Sequence, residues 1–182
     1  MKKTILTAFT AASFFLCSTS AFAELFSVSA GVPFSHSFAD TKVAESDGVS
    51  GFFLAAKLPI MVGVGIESYK TKIKGNDKTK KLATSMYDIF YQLPIPIVNL
   101  TLGLGMGSTE LQCGSCSTYD KGGATQWYTS VGIPIFPFFD VHLSLRRVSS
   151  KIKTNAASED TPKGTEYDVG GTVAGIGIAF GF

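Results

Sequence analysis

His142 and Ser144 stand two residues apart in an alternating stretch, so they share one face of a strand. A histidine beside a serine can take the hydroxyl proton and make the oxygen a nucleophile. Asp140 and Arg146 fall on the same face by the same spacing, so the pair equally reads as part of a polar row. Lys57, Glu67 and Asp88 hold the polar parity of their own stretches. Lys57, Glu67, Asp88, Asp140, His142 and Arg146 are therefore expected to form one inward-facing cluster. Charges withdrawn from water must pair to offset their desolvation, so mutual pairing that holds an interior shut is the expected role.

Two other groups of residues could do chemistry. Cys113 and Cys116 bracket Gly114-Ser115 in a polar connection. A redox C-x-x-C needs a helix start in an α/β context, and a zinc site needs two further ligands nearby; neither is evident. In an oxidising compartment the two are expected to form a loop-stiffening disulfide. No metal and no cofactor is expected. Lys72, Lys74, Lys78, Lys80 and Lys81, with Lys70, crowd around a single Asp77. Lysines serve phosphate as point charges. The cluster reads either as a phosphate contact or as a solvated loop.

The elements that position these residues begin after a leader. Lys2 and Lys3, an apolar run from Ile5 to Cys17, and Ala21-Phe22-Ala23 before Glu24 form a secretory signal peptide pattern. The bulky Leu16 before Cys17 departs from the small residue that lipoprotein signals want. The expected organisation is a leader at 1–23 and one domain at 24–182. Lys2 and Lys3 leave with the leader while all 14 acidic residues stay, so the net charge of +2 falls to near zero. That gives no support for nucleic-acid binding. The chain is 45% hydrophobic but only 16% charged, below the quarter usual for soluble domains.

Eight strand-like segments follow, at about 25–38, 49–58, 61–73, 82–93, 97–110, 124–134, 138–152 and 167–182. Short Pro-marked links at Leu58–Ile60, Leu93–Pro96 and Ile133–Pro137 alternate with long polar ones. Pro59, Pro94 and Pro134 lie 35 and 40 residues apart, one per hairpin. Pro33, inside the first segment, predicts a bulge or bend. Leu100, Leu102, Leu104 and Met106 oppose Thr101, Gly103, Gly105 and Gly107, and Val141, Leu143 and Leu145 oppose His142, Ser144 and Arg146. Alternation cannot say which face is outside. Small residues suit a narrow lumen, so the apolar rows are expected to face out. A soluble lipocalin-like carrier would reverse this. Phe136, Phe138, Phe139, Phe180 and Phe182 are expected at one rim, and Trp127 and Tyr128 near the other, as interfacial girdles. Phe52, Phe53 and Leu54 put some aromatics inside.

The last residues, Ala174 to Phe182, alternate and end on a free Phe. This ending resembles the C-terminal signal of bacterial outer-membrane β-barrels, with Phe180 and Phe182 as its aromatics. Leader, strand count, loop asymmetry and final Phe together resemble small eight-stranded outer-membrane barrels, such as the membrane domain of outer-membrane protein A and the X-type and W-type proteins. The expected fold is an all-β, eight-stranded antiparallel up-and-down transmembrane β-barrel. The resemblance implies a Gram-negative outer-membrane location, contact with membrane lipid and lipopolysaccharide, engagement of the barrel-assembly machinery by the last strand, and a monomer. The expected role is non-enzymatic, with outer loops for surface contacts or membrane integrity and a largely plugged lumen. His142-x-Ser144 also resembles the catalytic pair of lipid A 3-O-deacylases. Leu145 stands where that family has Asn, Glu159 has no clear register with the pair, and parity puts the pair inward. A lipid-A-modifying hydrolase and a small-solute or apolar-ligand barrel remain the alternatives.

Overall fold

The computed structural model describes residues 26–40, 44–75, 80–93, 95, 98–113, 119–136, 138–155 and 162–182. The leader, Lys78, Cys116 and Glu159 lie outside the described residues. Ten strands follow in order: β1 Ser27–Phe38, β2 Ser46–Lys57, β3 Val62–Ile73, β4 Lys81–Leu93, β5 Asn99–Gln112, β6 Tyr119–Asp120, β7 Gly122–Phe136, β8 Phe139–Thr154, β9 Glu166–Asp168 and β10 Gly171–Gly181. Eight of them pair antiparallel with their chain neighbours, and β10 pairs with both β8 and β1, closing an eight-stranded barrel. Closure protects the strand edges, although β1 and β2 pair only through Ser27–Gly31 and Phe53–Lys57.

β6 was expected to be loop, whereas β9, apart from Glu166, was expected at the start of the last strand. They continue β7 and β10 beyond short breaks and pair with the end of β8, through Tyr119↔Thr154 and Ile152↔Tyr167. The barrel wall is thus taller than the spacing of turn residues suggested. Pro134 was assigned to a link; it sits within β7, opposite Asp140, beside a register shift. Proline donates no ladder bond, and the irregularity accommodates that. The β2–β3 link is tight: Met61 N–H donates to Leu58 O at 3.1 Å, and Leu58 N–H to Val62 O at 2.8 Å. Pro59 presets the turn, and Met61 takes the left-handed conformation at φ 62°.

The rim holding this turn also holds the start of β1 and the end of β10, and is called here the near rim. Phe182 N–H donates to Phe26 O at 2.8 Å, and Gly181 N–H to Phe138 O at 3.0 Å. Phe139 and Phe180 meet at 5.0 Å, and Phe136 stacks with Phe138 at 6.3 Å. The aromatic cluster expected at one rim is present. The strand ends that lead into the longer connections lie at the far rim.

The greasy rows face out. Val28, Leu54, Val64, Ile89, Leu104, Ile133, Leu143 and Ile178, one from each barrel strand, are all exposed, with Leu104 at 64%. Water would penalise such a belt at roughly 25 cal/mol per Å²; hydrocarbon would not. The belt covers only the near half of each strand. Farther along, outward positions turn polar (Ser68, Lys70, Ser85, Ser108, Ser149, Lys151), and inward ones carry apolar side chains interleaved with buried hydroxyls such as Thr71, Thr84, Thr109 and Ser150. The far interior is packed by Phe53, Tyr69, Met86, Ala124, Val148 and Val173, then by Phe38, Ala44, Leu82, Ile152 and Val169. In β1 the bulge predicted at Pro33 is present, as a register shift between Pro33 and Ser35. It leaves Val32 and Phe34 outside while His36 and Phe38 turn in.

Candidate functional site

The near half of the lumen is where the candidate residues converge. Antiparallel register sets Asp88 across from Gly65 and Gly105, and Gly105 across from Gln126. Neighbouring pairs on β7 and β8 bring Tyr128 beside Arg146. Lys57, Glu67, Asp88, Asp140 and Arg146 are all buried, and His142 is half-buried on the same face. All six line one cavity of the lumen.

Their pairing is more varied than expected. Arg146 Nε donates to Glu67 Oε1 at 2.6 Å. Asp88 and Asp140 accept from side-chain amides: Gln126 Nε2 donates to Asp88 Oδ1 at 2.7 Å, and Asn99 Nδ2 donates to Asp140 Oδ2. The Arg146 guanidinium lies over the rings of Phe53 and Tyr128, with its carbon 3.7 Å and 4.9 Å from their centroids. Stacking on aromatic faces adds attraction that a lysine would supply less well. Tyr128, expected in a girdle, is instead this inward platform; Trp127 beside it faces out at the upper edge of the apolar belt, paired with Leu104 and Arg147.

Glycines make the room. A Cβ on Gly103 would strike the Tyr128 ring, one on Gly105 Asp88 Oδ1, one on Gly175 the Phe53 ring, and one on Gly177 the His142 imidazole. The glycine row does not open a binding pocket; large side chains occupy it. What is left is a cavity of about 80 Å³ among Lys57, Glu67, Asp88, Asn99, Asp140, His142 and Arg146. That is room for a few waters and not for a sugar or an acyl chain.

His142 and Ser144 do share the inward face, but the bonds of the serine go elsewhere. Ser144 Oγ donates to Gly175 O at 3.3 Å and accepts from Arg146 Nη1. A serine whose proton faces a backbone carbonyl and whose oxygen faces a guanidinium is a structural hydroxyl. Glu159, the third member of the catalytic resemblance, lies outside the described residues.

The basic cluster separates on inspection. Lys74 Nζ bonds Glu45 Oε2 at 2.8 Å; the lysine holds the Glu45 carboxyl below its ordinary pKa, and the carboxylate raises Lys74. Lys72 and Lys81 lie directly across from each other on the outer wall of β3 and β4, and Lys80 is exposed beside them. Lys151 and Lys153 both reach Glu166, at 3.4 and 2.9 Å.

Sequence reasoning missed Asn99, Gln126 and Tyr128 as members of the lumen cluster. Parity alone would have placed Asn99 and Gln126. It also missed His36, whose Nδ1 shares a 2.7 Å hydrogen bond with Thr71 Oγ1 in the far interior.

No protein-family model and no curated protein matches the chain. Solved structures do. Neisserial surface protein A, a crystal structure, superposes with a TM-score of 0.57 at 17% identity, covering 86% of this chain and 97% of that one. Outer membrane protein AlkL in lipid bilayers gives 0.58 at 13%, covering 89% and 92%. Outer membrane protein W of E. coli gives 0.53 at 11%, covering 88% and 98%. At these identities the likeness is one of fold, and the fold it shows is that of the small eight-stranded outer-membrane barrels.

Proposed function

We propose that this chain is a non-enzymatic integral protein of a bacterial outer membrane, with a closed lumen and outward loops that make surface contacts or support membrane integrity. The observation that carries the reading is the belt of exposed Leu, Ile and Val around all eight barrel strands, wrapped over a buried Arg146–Glu67 pair. An apolar exterior around an ionic interior is stable in hydrocarbon, where backbone groups must be satisfied internally. In this reading the near rim faces the periplasm and the far rim the cell exterior. Residues 1–23 act as a cleaved export leader. Phe180 and Phe182 present the last strand to the barrel-assembly machinery, membrane lipid and lipopolysaccharide surround the wall, and the barrel acts as a monomer. The Cys113–Cys116 disulfide is part of the proposal, these being the two cysteines after the leader.

The hydrolase alternative is disfavoured by the Ser144 bonds to Arg146 and Gly175. The channel alternative is disfavoured by the small residual cavity and the apolar layers beyond it. Cell fractionation with planar-bilayer recording tests the whole. The expected result is a heat-modifiable band in the outer-membrane fraction and no steady single-channel conductance. Recovery as a soluble periplasmic protein would overturn the membrane reading; stable conductance would overturn only the closed lumen.

A further inference from the structure

Several basic residues at the far rim have an acidic partner: Lys74 has Glu45, and Lys151 and Lys153 share Glu166. Three lysines on the outer wall of the β3–β4 hairpin do not. Among the described residues, Lys70, Lys72 and Lys81 have no carboxylate within ion-pair distance. Thr71, between Lys70 and Lys72, is fully buried, so both lysines point outward. Lys72 is directly opposite Lys81. Directly opposed side chains start about 5 Å apart, and like charges there repel. The acid on the adjoining strand, Glu110, is opposite Ala83 and accepts a hydrogen bond from Gln112 Nε2 at 2.5 Å.

The same hairpin becomes apolar immediately toward the near rim. After the opposed serines Ser68 and Ser85 come Ile66 and Tyr87, also opposed, with Tyr87 at 72% exposure. They border a shallow groove of about 630 Å³ on the outer wall, together with Val28, Leu54, Ala56 and Val64. The sequence of surfaces is therefore a cationic ledge, one hydroxyl step, and an apolar trough.

We infer that this wall binds a phosphorylated, acylated lipid of the outer leaflet, with its phosphate between Lys70, Lys72 and Lys81 and an acyl chain along Ile66 and Tyr87. The inference rests on the membrane reading and sharpens it: Lys74, spent on Glu45, leaves the phosphate set, and Lys70 joins it. An anion between Lys72 and Lys81 turns their repulsion into two charge-assisted bonds. Flexible lysine stems lie along apolar surface while their ammonium groups reach the headgroup layer.

The test uses the full-length barrel in nanodiscs, with bisphosphorylated lipid A, its dephosphorylated form and inorganic phosphate as probes, and bound lipid counted by native mass spectrometry. Combined Lys70→Gln, Lys72→Gln and Lys81→Gln should weaken lipid A binding about tenfold. Combined Lys74→Gln, Lys151→Gln and Lys153→Gln should leave it unchanged. Equal binding by the first variant, equal loss in the second, equal binding of the dephosphorylated lipid, or full competition by inorganic phosphate would each overturn the inference. A chain that inserts and stays heat-modifiable while showing any of these leaves the membrane reading standing; a chain that fails to insert sinks both.

Discussion

The near and far halves of this barrel use the same eight strands with opposite chemistry. In the near half Leu143 and Leu145 are outside while Ser144 and Arg146 are inside; four residues on, Ser149 and Lys151 are outside while Val148 and Ile152 are inside. β3 does the same, from Val64 and Ile66 outside to Tyr69 inside, and β4 from Ile89 and Tyr87 outside to Met86 and Leu82 inside. The backbone alternation of these strands is unbroken at the switch; only the residue chemistry changes phase. The difference teaches what sets the pattern. Pleat geometry fixes two faces, and the surrounding solvent decides which face carries the apolar groups. Where hydrocarbon surrounds the wall, burial of apolar side chains in the interior gains nothing, and paired polar groups can fill it. Where water surrounds it, the hydrophobic effect drives apolar side chains inward, and the far half becomes an ordinary water-soluble barrel core.

The largest expected effect comes from breaking the near interior. Arg146→Leu strands the buried Glu67 carboxylate, and loss of one partner of a buried pair costs about 3–5 kcal/mol. The check is the denaturant midpoint of the refolded barrel. Adding Glu67→Leu should recover much of the loss, because two apolar groups leave no uncompensated charge. An unchanged midpoint in the single variant would mean that the ionic interior contributes nothing, and the contrast between halves would fail.

Next in size is a direct probe of the two exteriors on one strand. Leu143→Arg places a charge on the belt and should cost about 2–4 kcal/mol. Ser149→Arg, six residues along the same outward face, should stay within about 0.5 kcal/mol. Equal costs would erase the boundary inferred between Leu145 and Ser149.

A smaller effect separates packing in the two halves. Gly103→Ala pushes a Cβ into the Tyr128 ring, and overpacking of this kind costs about 1–3 kcal/mol. Gly123→Ala, on the far outer wall, meets nothing within 4 Å and should be neutral. The same unfolding assay reads both.

Much of this was legible in the sequence because period-2 alternation is a strong signal over ten residues. Val141, Leu143 and Leu145 against His142, Ser144 and Arg146 gave the faces of β8 correctly, and Pro59 marked a real turn. The far half was misread for a physical reason. Tyr119–Asp120 sits among turn formers and polar residues, and its pairing depends on β8 reaching beyond the belt, which no local window contains. The phase switch itself was present, in Leu145 followed by Val148 and in Ile66 followed by Tyr69, but it looks like a lapse in alternation unless two solvents are assumed. Asp88 and Asp140 were expected to find cations. Their amide partners Gln126 and Asn99 come from strands 38 and 41 residues away in sequence, a choice set by register rather than by composition.

The smallest effect is expected where ion pairs are most visible. Glu45 and Lys74 meet at 2.8 Å, yet their side chains remain 56% and 67% exposed, and exposed pairs contribute little once screened by water and salt. The sign of their pH dependence is nonetheless defined. Lys74 lowers the Glu45 pKa from its ordinary 4.5 through their hydrogen bond and charge attraction, so any contribution is present above that value and fades as pH falls through the lowered one. Glu45 raises Lys74 from 10.5 in the same way, so the contribution holds below that value and fades as pH rises through the raised one. Glu45→Gln should therefore leave the midpoint at neutral pH unchanged within error, in contrast to Arg146→Leu. Unfolding curves for both variants at neutral pH, in low and high salt, make the comparison. A large, salt-sensitive loss from Glu45→Gln would place real stabilising electrostatics at the far rim and move the ionic centre of the barrel away from its near interior.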